Sequence, residues 1–157
     1  MPKTKKTIIL DRDALPLREI SLPVPISEIG SKEINRIIEK MRGAMYGEND
    51  SVAIAAPQIG ENLRIFLVRG SVLGTEEEPQ EDLVVINPEI VKVSKKKQPM
   101  EEGCLSVRWL YGEVLRHEKI TINALNEKGE SLHIGASGLI AQIFQHEIDH
   151  LEGILFI

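Results

Sequence analysis

The sequence has one cysteine, no run long enough to span a membrane, no internal repeat and no low-complexity segment. A single cysteine rules out an internal disulfide, so its environment has to explain it, and a free thiol suits a reducing compartment. The only apolar run near the N-terminus, Thr7–Leu10, ends at Asp11. A signal peptide needs about 7–15 apolar residues there, and a membrane span about 18. Basic character is also scarce: the net charge is −5, which speaks against a nucleic-acid binder. The local basic runs Lys3/Lys5/Lys6 and Lys95-Lys96-Lys97 read as a solvated tail and a solvated loop. What remains is ordinary for a soluble globular chain, with 42% hydrophobic and 27% charged residues. Its 157 residues are expected to form one domain, residues 1–157, large enough to bury a core.

Residues 1–30, with Pro16, Pro23 and Pro25, read as an extended arm. Ser31 is placed to cap a helix through about Tyr46, in which Ile34, Ile37, Ile38, Met41 and Met45 recur at helical spacing. Residues 52–56 and 63–69 read as short strands, and 74–82 as a flexible acidic stretch. Residues 83–93 read as a strand in which Pro88 marks an edge or a bulge. Residues 114–125 are strand-like around Ile120 and Ile122. Asn126-Glu127-Lys128-Gly129 predicts a turn into a last strand, 130–134.

Ser137 and Gly153 bracket a final helix. Gln142, Gln145, Asp149 and Glu152, at spacings of 3, 4 and 3, predict a solvent stripe on it. The rest of the helix is then buried, with His146 and His150 pointing inward beside Leu139 and Ile143. The expected fold class is α+β: antiparallel strands packed around a buried C-terminal metal-binding helix, with one further N-terminal helix.

His146-Glu147-Ile148-Asp149-His150 is an H-E-x-x-H pattern. Four residues turn a helix by about 400°, so both imidazoles lie on one face and can reach one ion. Glu147 is offset by about 100°, beside the ion, where a carboxylate can handle the proton of a bound water. Alone, the pattern also suits two structural histidines. Only seven residues follow His150, and the sole candidate ligand among them, Glu152, falls on the polar stripe. The third ligand is therefore expected upstream. His117 and His133 lie in strand-like stretches without a supporting pattern and read as structural or exposed. Cys104, after Glu102-Gly103, is the better candidate, against the alternative of a buried small apolar side chain. Three protein ligands with a fourth position open to water make a catalytic centre, in which the ion brings the pKa of water to about 7.

With these residues in view, the chain resembles the peptide deformylase family. Glu102-Gly103-Cys104-Leu105-Ser106 and Gln145-His146-Glu147-Ile148-Asp149-His150-Leu151 match two of its motifs intact, and Ser51-Val52-Ala53-Ile54-Ala55-Ala56-Pro57-Gln58 matches a third in altered form. The resemblance covers roughly residues 15–157. It implies a hydrolase that removes the N-formyl group from the N-terminal methionine of nascent peptides. Cys104, His146 and His150 would bind the metal and Glu147 would be the general acid/base. The Gln58 side-chain amide and the Leu105 backbone N–H would hold the oxyanion. Val52, Ala53, Glu102, Gly103, Leu139 and Ile143 match positions near the substrate, which lies like an added strand. The implied cofactor is one divalent ion, commonly iron(II), with zinc, nickel or cobalt substituting. The implied partners are the formyl-methionyl peptide and, transiently, the ribosome. Many relatives continue into a C-terminal helix that in some bacteria contacts the ribosome; this chain stops seven residues after His150, which puts that contact in doubt. No nucleic-acid or membrane contact is expected, and the expected location is the cytoplasm or another reducing compartment.

The chain departs from the family's pattern at Ser51 and Ala53, which replace two glycines, and at Val107-Arg108-Trp109, where an apolar residue and proline are usual. A methyl at position 53 is expected to crowd the peptide or to be tolerated by a strand backbone. Trp109 is a core residue or a rim contact. Two other functions stay open at this point. One is a related N-acyl deacylase or amidase with another substrate. The other is a non-catalytic metal-bound binding module, against which the retention of Glu147 and Gln58 argues. An H-E-x-x-H endopeptidase is disfavoured by the missing downstream ligand.

Overall fold

Two short apolar strands decide how the molecule is layered. They belong to a computed structural model that describes residues 7–157, with the side chain of Trp109, and so its reading as core or rim, outside the described part. Strands β1 (Ala53–Ala55) and β2 (Ile65–Val68) pair antiparallel. All four side chains of β2 are buried. Successive strand residues face opposite ways. Accordingly Ile65 and Leu67 join the apolar cluster of helix α1 (Lys32–Tyr46), while Phe66 and Val68 join that of helix α3 (Gly138–Leu151). The sheet is covered on both faces, which is why these strands read as continuous apolar runs. After β2 the chain makes one helical turn, α2 (Gly70–Leu73), that sequence patterning does not predict.

The remaining strands are β3 (Leu83–Val93), β4 (Lys97–Cys104), β5 (Val107–His117), β6 (Lys119–Leu125) and β7 (Ser131–Ser137). One five-stranded antiparallel sheet has the order β1-β2-β3-β6-β7, and β4 and β5 form a separate hairpin. The fold is thus α+β, as expected from the sequence. Helix α1 begins after Ser31, whose hydroxyl accepts from the Ile34 N–H, and the five predicted apolar positions are all buried.

Several local expectations are corrected. Pro88 marks a bulge and not an edge, since β3 lies between β2 and β6 with a register shift between Ile86 and Glu89. Asn87 turns there at φ 53° and ties its side-chain amide to both backbone groups of Val24, anchoring the N-terminal arm. Residues 114–125 are not one strand: β5 and β6 break at Glu118 and enter different sheets. Ser137 precedes α3 but makes no side-chain cap. Gln145 is not on a solvent stripe. It is buried, with its amide bonded to the N–H and C=O of His117 on β5. At the far end Gly153, at φ 74°, reverses the chain after α3 as expected.

Candidate metal centre

Three elements converge on one point. Helix α3 supplies His146, Glu147 and His150; the end of β4 supplies Glu102, Gly103 and Cys104; a 3-10 turn after β1, Ala56–Ile59, supplies Gln58. One ligand atom each from Cys104, His146 and His150 lies within 4.8 Å of the others, a spread that one ion can bridge. Cys104 Sγ is 3.3 Å from His150 Nε2. The two imidazoles sit one turn apart with ring centroids 5.0 Å apart and planes at 78°.

The His146 ring is oriented from behind. Its Nδ1–H donates to Glu102 Oε1 at 2.8 Å, leaving Nε2 for the centre. Glu102 is itself held by a forked pair of bonds from Arg116 on β5, Nε to Oε2 at 2.6 Å and Nη2 to Oε1 at 2.7 Å. The third guanidinium nitrogen donates to Asp149 at 2.6 Å, so Arg116 joins the hairpin to α3 beside His150. Burial alone would raise the Glu102 carboxyl, but the hydrogen bonds from Arg116 and His146 outweigh it and hold the pKa at about 2. Arg116 lies outside every motif, and Asp149 stands at an unspecified position of H-E-x-x-H. The one sequence signal for Arg116 is a charged residue at an inward position of β5, visible only once the strand's facing is known.

Glu147 is as buried as Glu102 and behaves oppositely. Burial lifts its carboxyl to about 7 against the pull of His146, and Oε2 has no hydrogen-bond partner among the described residues. Burial pulls His146 down, but the bonds to Cys104 and Glu102 and the charge of Glu147 outweigh it and raise it to about 10. Burial keeps His150 neutral, and its buried Nδ1 has no hydrogen-bond partner among the described residues. The donor set is a soft sulfur with two imidazoles, which fits a divalent transition-metal ion.

Gln58, nearly fully buried, is fixed by the Ala55 N–H donating to its Oε1 at 2.9 Å. Its Nε2 therefore faces the centre, 3.2 Å from Ser106 Oγ and 3.5 Å from Cys104 Sγ. Leu105 and Ser106 form the two-residue turn between β4 and β5. A groove of about 370 Å³ opens over these groups. Val52 and Ala53 line one wall, Gly103 and Leu105 another, and Leu139 and Ile143 of α3 the third. Glu102 also borders it, although both its carboxylate oxygens are taken by Arg116 and His146. A Cβ on Gly103 would stand 2.8 Å from the ring of Tyr111, an exposed side chain that would have to move aside. His117 bonds the Ser94 carbonyl and His133 is exposed beside Asn123, both away from the centre. No helix among the described residues is long and apolar enough to cross a membrane.

The comparisons with known proteins agree with this geometry. The polypeptide deformylase family model matches residues 5–157. A peptide deformylase of Carboxydothermus hydrogenoformans is 45% identical over 142 residues, covering 90% of this chain and 84% of the relative. A ligand-bound crystal structure of class I type b peptide deformylase from Acinetobacter baumannii superposes with a TM-score of 0.87 at 33% identity, covering 98% of this chain and 97% of that one. The same enzyme bound to Met-Ala-Ser gives 0.84 at 32% identity, covering 96% and 97%. The family is metal-dependent, and the Cys104–His146–His150 cluster is a possible metal site in this chain. By its sequence and its fold, this chain belongs to the polypeptide deformylase family.

Proposed function

We propose how the residues of this centre carry out the reaction of a peptide deformylase, the hydrolysis of the N-formyl group of a formyl-methionyl peptide to formate and a free amine. The observation that carries the assignment is the buried Glu147 carboxyl, whose Oε2 has no hydrogen-bond partner among the described residues, beside three converging metal-ligand atoms. Cys104, His146 and His150 would hold the ion, which supplies a Lewis acid that polarises the formyl carbonyl and activates water at neutral pH. Iron(II) is the ion we favour, with zinc, nickel or cobalt able to substitute. The ligand types alone do not choose among these metals.

Glu147 accepts the proton lost by the attacking water and delivers it to the peptide nitrogen as the C–N bond breaks. Its buried position favours the protonated form between these two steps, and a divalent cation alongside would bring the pKa down from about 7. Gln58 Nε2 and the Leu105 N–H would donate to the formyl oxygen as negative charge develops there. Gln58 is suited to this because its Oε1 is already occupied, so the amide does not reorganise during the reaction.

The groove between Val52-Ala53 and Gly103 would take the peptide as an extended strand, with Leu139 and Ile143 against the methionine side chain. The same reading treats residues 1–157 as one catalytic domain, and a reducing compartment keeps the Cys104 thiol available as a ligand. A transient ribosome contact belongs to it too, since nascent chains are the substrate. Formate release from formyl-Met-Ala-Ser tests the function. Protein loaded with iron(II) or nickel(II) without oxygen should release formate, chelator-stripped protein should not, and reloading should restore it. Turnover of acetyl but not formyl peptides would replace this assignment with a related deacylase.

A further inference from the structure

His146 is oriented in only one respect by its hydrogen bond. A single Nδ1–H···O contact fixes where the ring points but leaves it free to tilt about the axis of that bond. Two rings pack on it and restrict the tilt. The His150 imidazole stands edge-on at 5.0 Å. Phe156 lies with ring centroids 6.4 Å apart and planes at 36°.

The placing of Phe156 is specific. It packs with Leu17, Val107 and Leu155, a small apolar cluster that also takes in Cys104. Its ring lies against Gly112, where an added Cβ would stand 3.2 Å and 3.3 Å from two ring atoms. Gly112 pairs directly across the hairpin with Glu102, the acceptor for His146. The backbone leading to Phe156 is also held. The Ile154 N–H donates to Asp149 O at 2.8 Å, and Gly153 packs so closely on Arg18 that a Cβ would meet its carbonyl oxygen at 2.6 Å. Glycine at 112 thus makes room for the aromatic ring at the point where hairpin, carboxylate and imidazole meet.

We infer that Phe156, seated against Gly112, is a positioning residue that fixes the tilt of the His146 ring and so sets how firmly the centre keeps its ion. The inference rests on the assignment of His146 as a ligand made above. Groups behind a metal ligand typically change metal affinity about 10–100-fold. Phe156→Leu keeps most of the apolar volume and removes the flat face, and it should release nickel(II) to excess EDTA about tenfold faster than the parent. Phe156→Tyr should restore the parent rate, and Gly112→Ala should move it in the same direction as Phe156→Leu by less. The thiolate-to-cobalt charge-transfer band of cobalt(II)-loaded Phe156→Leu should shift. KM for formyl-Met-Ala-Ser should stay unchanged while kcat follows metal occupancy.

A purely structural role would lower the melting temperature of the metal-free protein and leave the nickel release rate and cobalt spectrum of the folded holoprotein as in the parent. That result overturns the inference, and the leucine variant decides it even where Phe156→Ala fails to fold. A parent protein that retains nickel but releases no formate would overturn the deformylase roles and leave the nickel comparison standing. A parent that retains no nickel would overturn both.

Discussion

Two glutamates border the centre with nearly the same burial, Glu102 5% exposed and Glu147 4% exposed, and they differ in hydrogen bonding and in the direction of their pKa shift. Glu102 accepts from Arg116 and His146, and those bonds hold it ionised with a pKa of about 2. Glu147 has an oxygen without a partner among the described residues, and burial raises its carboxyl to about 7. Residue type and burial do not separate a fixed charge from a mobile proton; the cation beside the carboxylate does. One side of the centre is built to hold still, the other to change state.

That contrast can be broken from either side. The largest effect is expected for Glu147→Gln, which keeps the shape and removes the proton carrier. Formate release should fall by about 10²–10⁴-fold, with metal content measured by atomic absorption at the parent level. A variant that loses its metal instead would place Glu147 on the holding side.

Arg116→Met is next in size. It leaves Glu102 a buried carboxylate without its main counter-charge, and the loss should be about 3–5 kcal/mol in urea unfolding of the metal-free protein. Adding Glu102→Gln to Arg116→Met should recover part of that loss, because no charge is then left unpaired. If the double variant is less stable than Arg116→Met, the charge argument is wrong.

Glu102→Gln alone should act through His146. Metal affinity in chelator competition should fall by about 10–100-fold. At saturating metal, kcat should drop far less than in Glu147→Gln. Equal losses of kcat in the two variants would erase the distinction between the two acids.

The smallest effect concerns the groove wall and not the centre. Ala53 sits in β1, paired with Val68, and lines the groove. Ala53→Gly should raise kcat/KM by a few-fold at most, on the order of 1 kcal/mol or less, for peptides with bulky second residues. Unchanged values across the series would mean that the strand tolerates the methyl.

The contrast between the two acids also marks how far the sequence could be read. The spacing of His146, Glu147 and His150 is a property of one helix, and it survives folding because a helix fixes the relative direction of its own side chains. Helix α1, its Ser31 cap and its buried stripe were legible for the same reason. Gln145 was not. Its spacing from Gln142 and Asp149 predicts a polar stripe, and the stripe exists, but it faces the hairpin and the His117 backbone instead of water. The boundary between β5 and β6 was hidden because a strand's period does not say which sheet it joins.

By itself, then, the sequence determined the family and singled out Cys104, His146, His150 and Glu147 as candidates, since these rest on spacing within one helix and on short motifs. Tertiary structure alone decided that Arg116 and Asp149 serve the centre, that Glu102 is a fixed charge while Glu147 is not, and that Phe156 and Gly112 back the His146 ring. Each of these depends on partners from separate elements meeting in a buried space. Local periodicity tells a side chain where to point, but not what will be waiting there.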